Sequence, residues 1–140
     1  MKIRRLRTAA AAVLVILVLV FLAGRIIPRN LKSLMPKDFQ PESCYVNDFF
    51  GSGSGRYLTE EEIQSLWKLL EGLEYRYAGI VPGGVMKGEL YHVSFFRLQE
   101  PAEHVYLYVT KSRGVLYLKD KEYKMTGDTK PLLDFLENVN

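Results

Sequence analysis

A chain of 140 residues has room for one domain, and its basic, apolar first quarter adds nothing to a folded core. Its net charge of +3 is set outside the prospective domain, which excludes the basic stripe that nucleic-acid binding needs. A single cysteine, Cys44, excludes an intramolecular disulfide and a cysteine-built zinc site.

Residues 1–7 form a basic tail carrying Lys2, Arg4, Arg5 and Arg7. From Thr8 to Gly24 the sequence TAAAAVLVILVLVFLAG holds no charge and covers roughly 25 Å as a helix. Adding Ile26 and Ile27, with Arg25 reaching to the interface, brings residues 8–27 to the thickness of a bilayer core and predicts a transmembrane anchor. A cleaved signal peptide fits less well. Cleavage after Ala23 or Gly24 sets Phe21 or Leu22 where a small side chain belongs. A lipoprotein signal requires cysteine where Arg25 stands. Basic residues flank both ends of the span, but the short N-terminus is the easier side to retain. The expected topology is therefore single-pass, with the N-terminus cytoplasmic and the C-terminal domain extracytoplasmic. Arg25, Arg29, Lys32 and Lys37 follow the span, whereas acidic residues outnumber basic ones from Asp38 onward. The basic excess is thus juxtamembrane, suited to anionic lipid head groups.

Three prolines and several charges interrupt residues 28–43, which read as a linker, and the domain is expected over 44–140. Cys44–Phe50 reads as a first strand, and Gly51–Gly55 as a flexible loop. That loop lacks the Lys-Ser/Thr pair of a phosphate-binding loop, since Arg56-Tyr57-Leu58 follow it. Thr59 and Glu62 have the spacing of a capping box, and Ile63, Leu66, Trp67, Leu70 and Leu73 form one apolar stripe behind them. The adjacent glutamates Glu60, Glu61 and Glu62 suit the positive end of a helix better than a calcium loop, and Gly72 is placed to end the helix. From Glu74 the period changes to two. Strands are expected around Tyr75–Tyr77, 89–98, 104–111, 114–119 and 122–126, then a helix over 129–138 with Pro131 in its first turn. The fold class is α+β: an antiparallel β-meander of about five strands with two helices packed on one face, preceded by the transmembrane helix.

Turn positions near 99–102, 112–113 and 120–121 set Tyr91, Val93, Phe95, Val105, Leu107, Val109, Leu116, Leu118, Tyr123 and Met125 on one apolar face. The other face carries His92, Ser94, Phe96, His104, Tyr106, Tyr108, Val115, Tyr117 and Lys124. Tyrosines suit an open, solvated sheet face, but rigid amphipathic rings also dock a protein, peptide or glycan. His92, His104, Tyr106, Tyr108 and Tyr117 are the candidate binding residues. His92 and His104 supply two metal ligands without a third, so no metal site or cofactor is expected. No nucleophile elbow or triad is present, so no catalytic residue is expected.

The Thr59 helix, Leu107-Tyr108-Val109, Leu116-Tyr117-Leu118, Tyr123-Lys124-Met125 and the terminal helix together cover about the last eighty residues. In element order and spacing they resemble small uncharacterised extracytoplasmic α+β domains of Gram-positive bacterial lipoproteins and single-pass membrane proteins. The resemblance implies a surface location and a non-enzymatic role, and carries over no site residues. The sequence thus points to a membrane-anchored protein whose outer domain binds an envelope protein, peptide or glycan without catalysis. Two alternatives stand beside it. One is a small envelope enzyme or metal-binding protein using His92 and His104. The other is a structural subunit of a membrane complex, its helix pairing through Ala9–Ala12.

Overall fold

The computed structural model describes residues 2–37, 39–49, 53–80, 91–97 and 105–139. Helix α1 (Lys2–Ile26) contains one stretch, Ala9–Ile26, long and apolar enough to cross a membrane, and none of that stretch is buried against the chain. Only Ile27 and Pro28 separate α1 from a two-residue edge strand, β1 (Arg29–Asn30). Asn30 then caps a single helical turn, α2 (Leu31–Leu34), by accepting from the Ser33 N–H at 2.8 Å. Leu31, Leu34, Met35 and Phe39 all enter the core. The segment expected to be a linker is therefore built into the domain. Its prolines break the periodicity but leave four apolar side chains free to bury.

The remaining strands are β2 (Ser43–Asp48), β3 (Gly55–Tyr57), β4 (Glu74–Ile80), β5 (Tyr91–Phe96), β6 (Val105–Val109), β7 (Gly114–Leu118) and β8 (Lys121–Thr126). They form one sheet in the order β1-β4-β8-β7-β6-β5-β2-β3, and every pairing is antiparallel. The α+β class and antiparallel sheet match expectation. The described residues hold eight strands and four helices, not about five strands and two helices beside the anchor. Beyond the first strand expected at Cys44–Phe50 and the five of the meander, the additions are β1, β3 and α2, each too short to show a period. The meander is also only part of the sheet. Strands β5–β8 run as consecutive hairpins, but β2 takes the free edge of β5 and β4 pairs with β8 instead of its successor. Strand β3 begins at the last glycine of the glycine-rich stretch, where the Tyr45 ring lies so close that only glycine fits.

The β7–β8 turn is Lys119-Asp120, one residue earlier than expected, with Lys119 at φ 60°. A non-glycine residue in the left-handed region left no signal to locate the turn. The move preserves strand parity, so Tyr123 and Met125 still join Leu116 and Leu118 on the core face.

Helices α3 (Glu60–Glu71) and α4 (Lys130–Val139) cover that face with Ile63, Leu66, Leu70, Leu132 and Leu136. Trp67 lies between Phe39 and Phe95, its ring centroid 5.7 and 5.5 Å from theirs. At the far end of α3, the Tyr75 hydroxyl donates to the Leu70 carbonyl at 2.8 Å, and Gly72 caps the helix. The expected capping box is formed: Glu62 N–H donates to Thr59 Oγ1 at 3.3 Å, and Thr59 N–H to Glu62 Oε2 at 2.8 Å. Arg56 adds a fork onto the Glu62 carboxylate, 3.0 Å to Oε2 and 2.6 Å to Oε1. Its Nε donates to the Val139 carbonyl, so one guanidinium ties β3, the start of α3 and the end of α4.

The Arg56 hydrogen bonds, then the Thr59 N–H, pull the Glu62 carboxyl from its usual 4.5 down to about 2. A depressed carboxyl stabilises fully above its unfolded value and loses that contribution as pH falls through the folded one. Glu62→Ala should cost about 1–2 kcal/mol at neutral pH, from the lost cap and a partly exposed ion pair. Glu62→Gln, which keeps a side-chain acceptor for Thr59, should cost less. In urea titrations between pH 4.5 and 2, both variants should lack the share of acid destabilisation that Glu62 contributes to the wild type.

Candidate functional site

Paired residues of antiparallel strands point to the same side, so the register defines the face opposite the helices row by row. One row reads Tyr57, Tyr45, Ser94, Tyr106, Tyr117, Glu122 across β3, β2, β5, β6, β7 and β8. The next reads Gly55, Asn47, His92, Tyr108, Val115, Lys124, Arg76, ending on β4. His92 is the centre of a ring cluster. Tyr108 stacks on it at 4.7 Å and 19°, Tyr106 at 5.3 Å and 27°, and Phe49 stands at 6.1 Å. Tyr117 meets Tyr108 edge-on at 5.1 Å and donates its hydroxyl to Glu122 at 3.1 Å. Such ring pairs contribute about 0.5–1.5 kcal/mol each beyond area burial.

Four residues chosen from the sequence, His92, Tyr106, Tyr108 and Tyr117, are thus brought into one cluster, and His104 lies outside the described residues. Sequence reasoning missed Phe49, Tyr45 and Tyr57. Tyr45 alternates with the buried Cys44 and Val46, a period-two signal that becomes useful once β2 is placed beside β5. Tyr57 packs edge-on against Tyr45 at 5.0 Å from a three-residue strand that has no period to read.

The middle of this face is withdrawn from water, while Lys124 and Arg76 at its β8–β4 side are exposed. Ser94, Val115 and Tyr117 are 5 %, 0 % and 6 % exposed, and none belongs to the core cluster beneath the helices. His92, Tyr106 and Tyr108 are half-buried. The rings have packed into a second apolar layer, whose open part lies toward β2 and β3, where Phe49 and Tyr57 are exposed. Burial pushes the His92 pKa below its usual 6.5. Its Nε2 and the Oδ1 of Asn47, directly opposite on β2, are buried without a hydrogen-bond partner. An unpaired buried polar atom costs about 1–3 kcal/mol, a penalty that packing alone does not account for.

Cys44 is fully buried on the helix-covered face, with its thiol pushed up to about 12, which makes it a core side chain without nucleophilic character at neutral pH. Among the described residues no group of three histidine, cysteine, aspartate or glutamate side chains is placed to hold a metal ion. A groove of about 1220 Å³ runs between the segment from Lys32 to Ser43 and α3, lined in part by Met35, Phe39 and Trp67, and among the described residues no histidine or cysteine lines it. No family model matches the chain, and comparisons with curated proteins and with solved structures find no match.

Two outcomes follow from the packing of this layer. A buried neutral imidazole contributes fully above its unfolded pKa and loses that contribution as pH falls from 6.5 through its lower folded value. His92→Phe, which keeps the ring and removes the proton site, should flatten the stability profile between pH 7 and 5 relative to wild type, measured by urea unfolding. Tyr117→Phe should cost only its hydrogen bond, about 0.5–1.5 kcal/mol, whereas Tyr117→Ala should cost about 3–5 kcal/mol because the ring is buried.

Proposed function

We propose that this chain is a single-pass membrane protein whose N-terminus lies in the cytoplasm and whose folded domain, outside, binds an envelope protein, peptide or glycan through its aromatic sheet face without catalysis. The observation that carries the proposal is the convergence of Phe49, His92, Tyr106, Tyr108 and Tyr117 into one ring cluster on the side away from α3 and α4. Rigid aromatic rings lose little conformational entropy on binding and offer both apolar area and polar tips, which is why they anchor recognition surfaces. The buried members hold the platform in place. The exposed rings of Phe49 and Tyr57, near the β2–β3 edge, are the first groups an incoming partner meets. The length and apolar composition of α1 support the anchored reading. The resemblance to extracytoplasmic domains points the same way.

The test separates docking from folding. Photo-reactive benzoylphenylalanine in place of Phe49 or Tyr57, both exposed, should cross-link an envelope component in intact cells, whereas the same residue in place of Glu137 on α4 should not. Phe49→Ser with Tyr57→Ser should cost about 0.5–1.5 kcal/mol per site, one exposed ring pair each, while leaving the domain folded, and abolish the capture seen through a probe at position 106. Cross-links of equal strength from both faces, or none from the sheet face, would reject the site.

A further inference from the structure

The chain leaves its membrane helix and enters the core with almost no slack. Four residues separate Ile26, the last of α1, from the fully buried Leu31, and two of them are paired in β1. The Arg25 guanidinium stands 5.0 Å over the Phe21 ring of its own helix and 5.9 Å from the Tyr77 ring centre on β4. Tyr77 packs in turn against Tyr123 at 5.7 Å. Helix, edge strand and sheet are therefore joined as one piece, and the part of the sheet nearest the bilayer is defined.

Register identifies that part. Arg29 pairs with Tyr75, while Arg25 reaches Tyr77, so the chain traced back toward the membrane runs along β4 toward Ile80. Ile80 pairs with Lys121 on β8, beside the Lys119-Asp120 turn. Ile27 and Ile80 are 59 % and 61 % exposed on this side of the sheet, and the exposed cation Lys121 lies directly beside Ile80. Arg25, Arg29, Lys32 and Lys37 follow the span and no acidic residue precedes Asp38, so the exit point is cationic.

We propose that the β4–β8 end of the sheet is a lipid-docking surface: Ile27 and Ile80 enter the boundary between head groups and acyl chains while Lys121 pairs with anionic lipid phosphates. The occupant is the bilayer that holds α1, because the surface is continuous with the anchor and its charge complements anionic head groups. The proposal rests on α1 being retained as a membrane span.

The experiment uses the full chain in vesicles containing phosphatidylglycerol and phosphatidylethanolamine, with an environment-sensitive fluorophore on Ile80→Cys or, at the opposite end of the sheet, on Lys111→Cys. The buried Cys44 should not label, which the wild-type chain checks. Lipids carrying a nitroxide on the acyl chain should quench position 80 severalfold more than position 111. The difference should shrink in vesicles without phosphatidylglycerol and when Lys121→Glu is added. Equal, weak quenching at both positions, with the chain still in alkaline-washed vesicles, overturns docking while leaving the anchor intact. Loss of the chain from the washed vesicles overturns the anchor and the docking that rests on it.

Discussion

The register of four consecutive hairpin strands, β5 to β8, is the constraint on which the rest depends. Pairings such as Val93 with Leu107 and Leu107 with Leu116 keep every large aliphatic side chain of these strands but Val115 on the helix side. A slip of one residue in any hairpin would turn His92, Tyr106 or Tyr108 toward α3 and α4 and send valines and leucines out. Both layers of the domain, aliphatic beneath the helices and aromatic on the other side, are consequences of one parity. Neither layer can form without the other.

That parity was legible because it is local. Alternation inside each strand and the approximate turn positions suffice to sort side chains between faces, and a turn misplaced by one residue at Lys119-Asp120 did not disturb the result. The capping box at Thr59 and Glu62 was legible for the same reason: four adjacent residues contain the whole motif. What stayed hidden is non-local or too short to repeat. Nothing near β4 says that it will pass over β5 and pair with β8, and two residues of β1 cannot display a period. The role of Arg56 was equally silent, since its partners lie at positions 62 and 139.

The candidate site was half legible. Its residues could be drawn from alternation, but a polar, tyrosine-rich face was expected, and the rings instead bury one another together with Val115 and Ser94. Ring stacking removes area from water in a way that a residue-by-residue hydropathy reading does not count, because each tyrosine registers as amphipathic on its own. The result is a packed ring layer in which Val115 and Tyr117 are buried, His92, Tyr106 and Tyr108 are half-buried, and Phe49 and Tyr57 are exposed.

The short passage from α1 into β1 also governs what becomes of the domain if its anchor is severed. A protease acting between Gly24 and Arg25 would leave β1, the Asn30 cap and all of the core leucines in place, shedding a folded domain with a basic leader. A cut only six residues later, after Asn30, would strip the edge strand from β4 and remove the cap that orders α2. Six residues thus separate a cut that leaves every strand and cap intact from one that removes an edge strand and a cap.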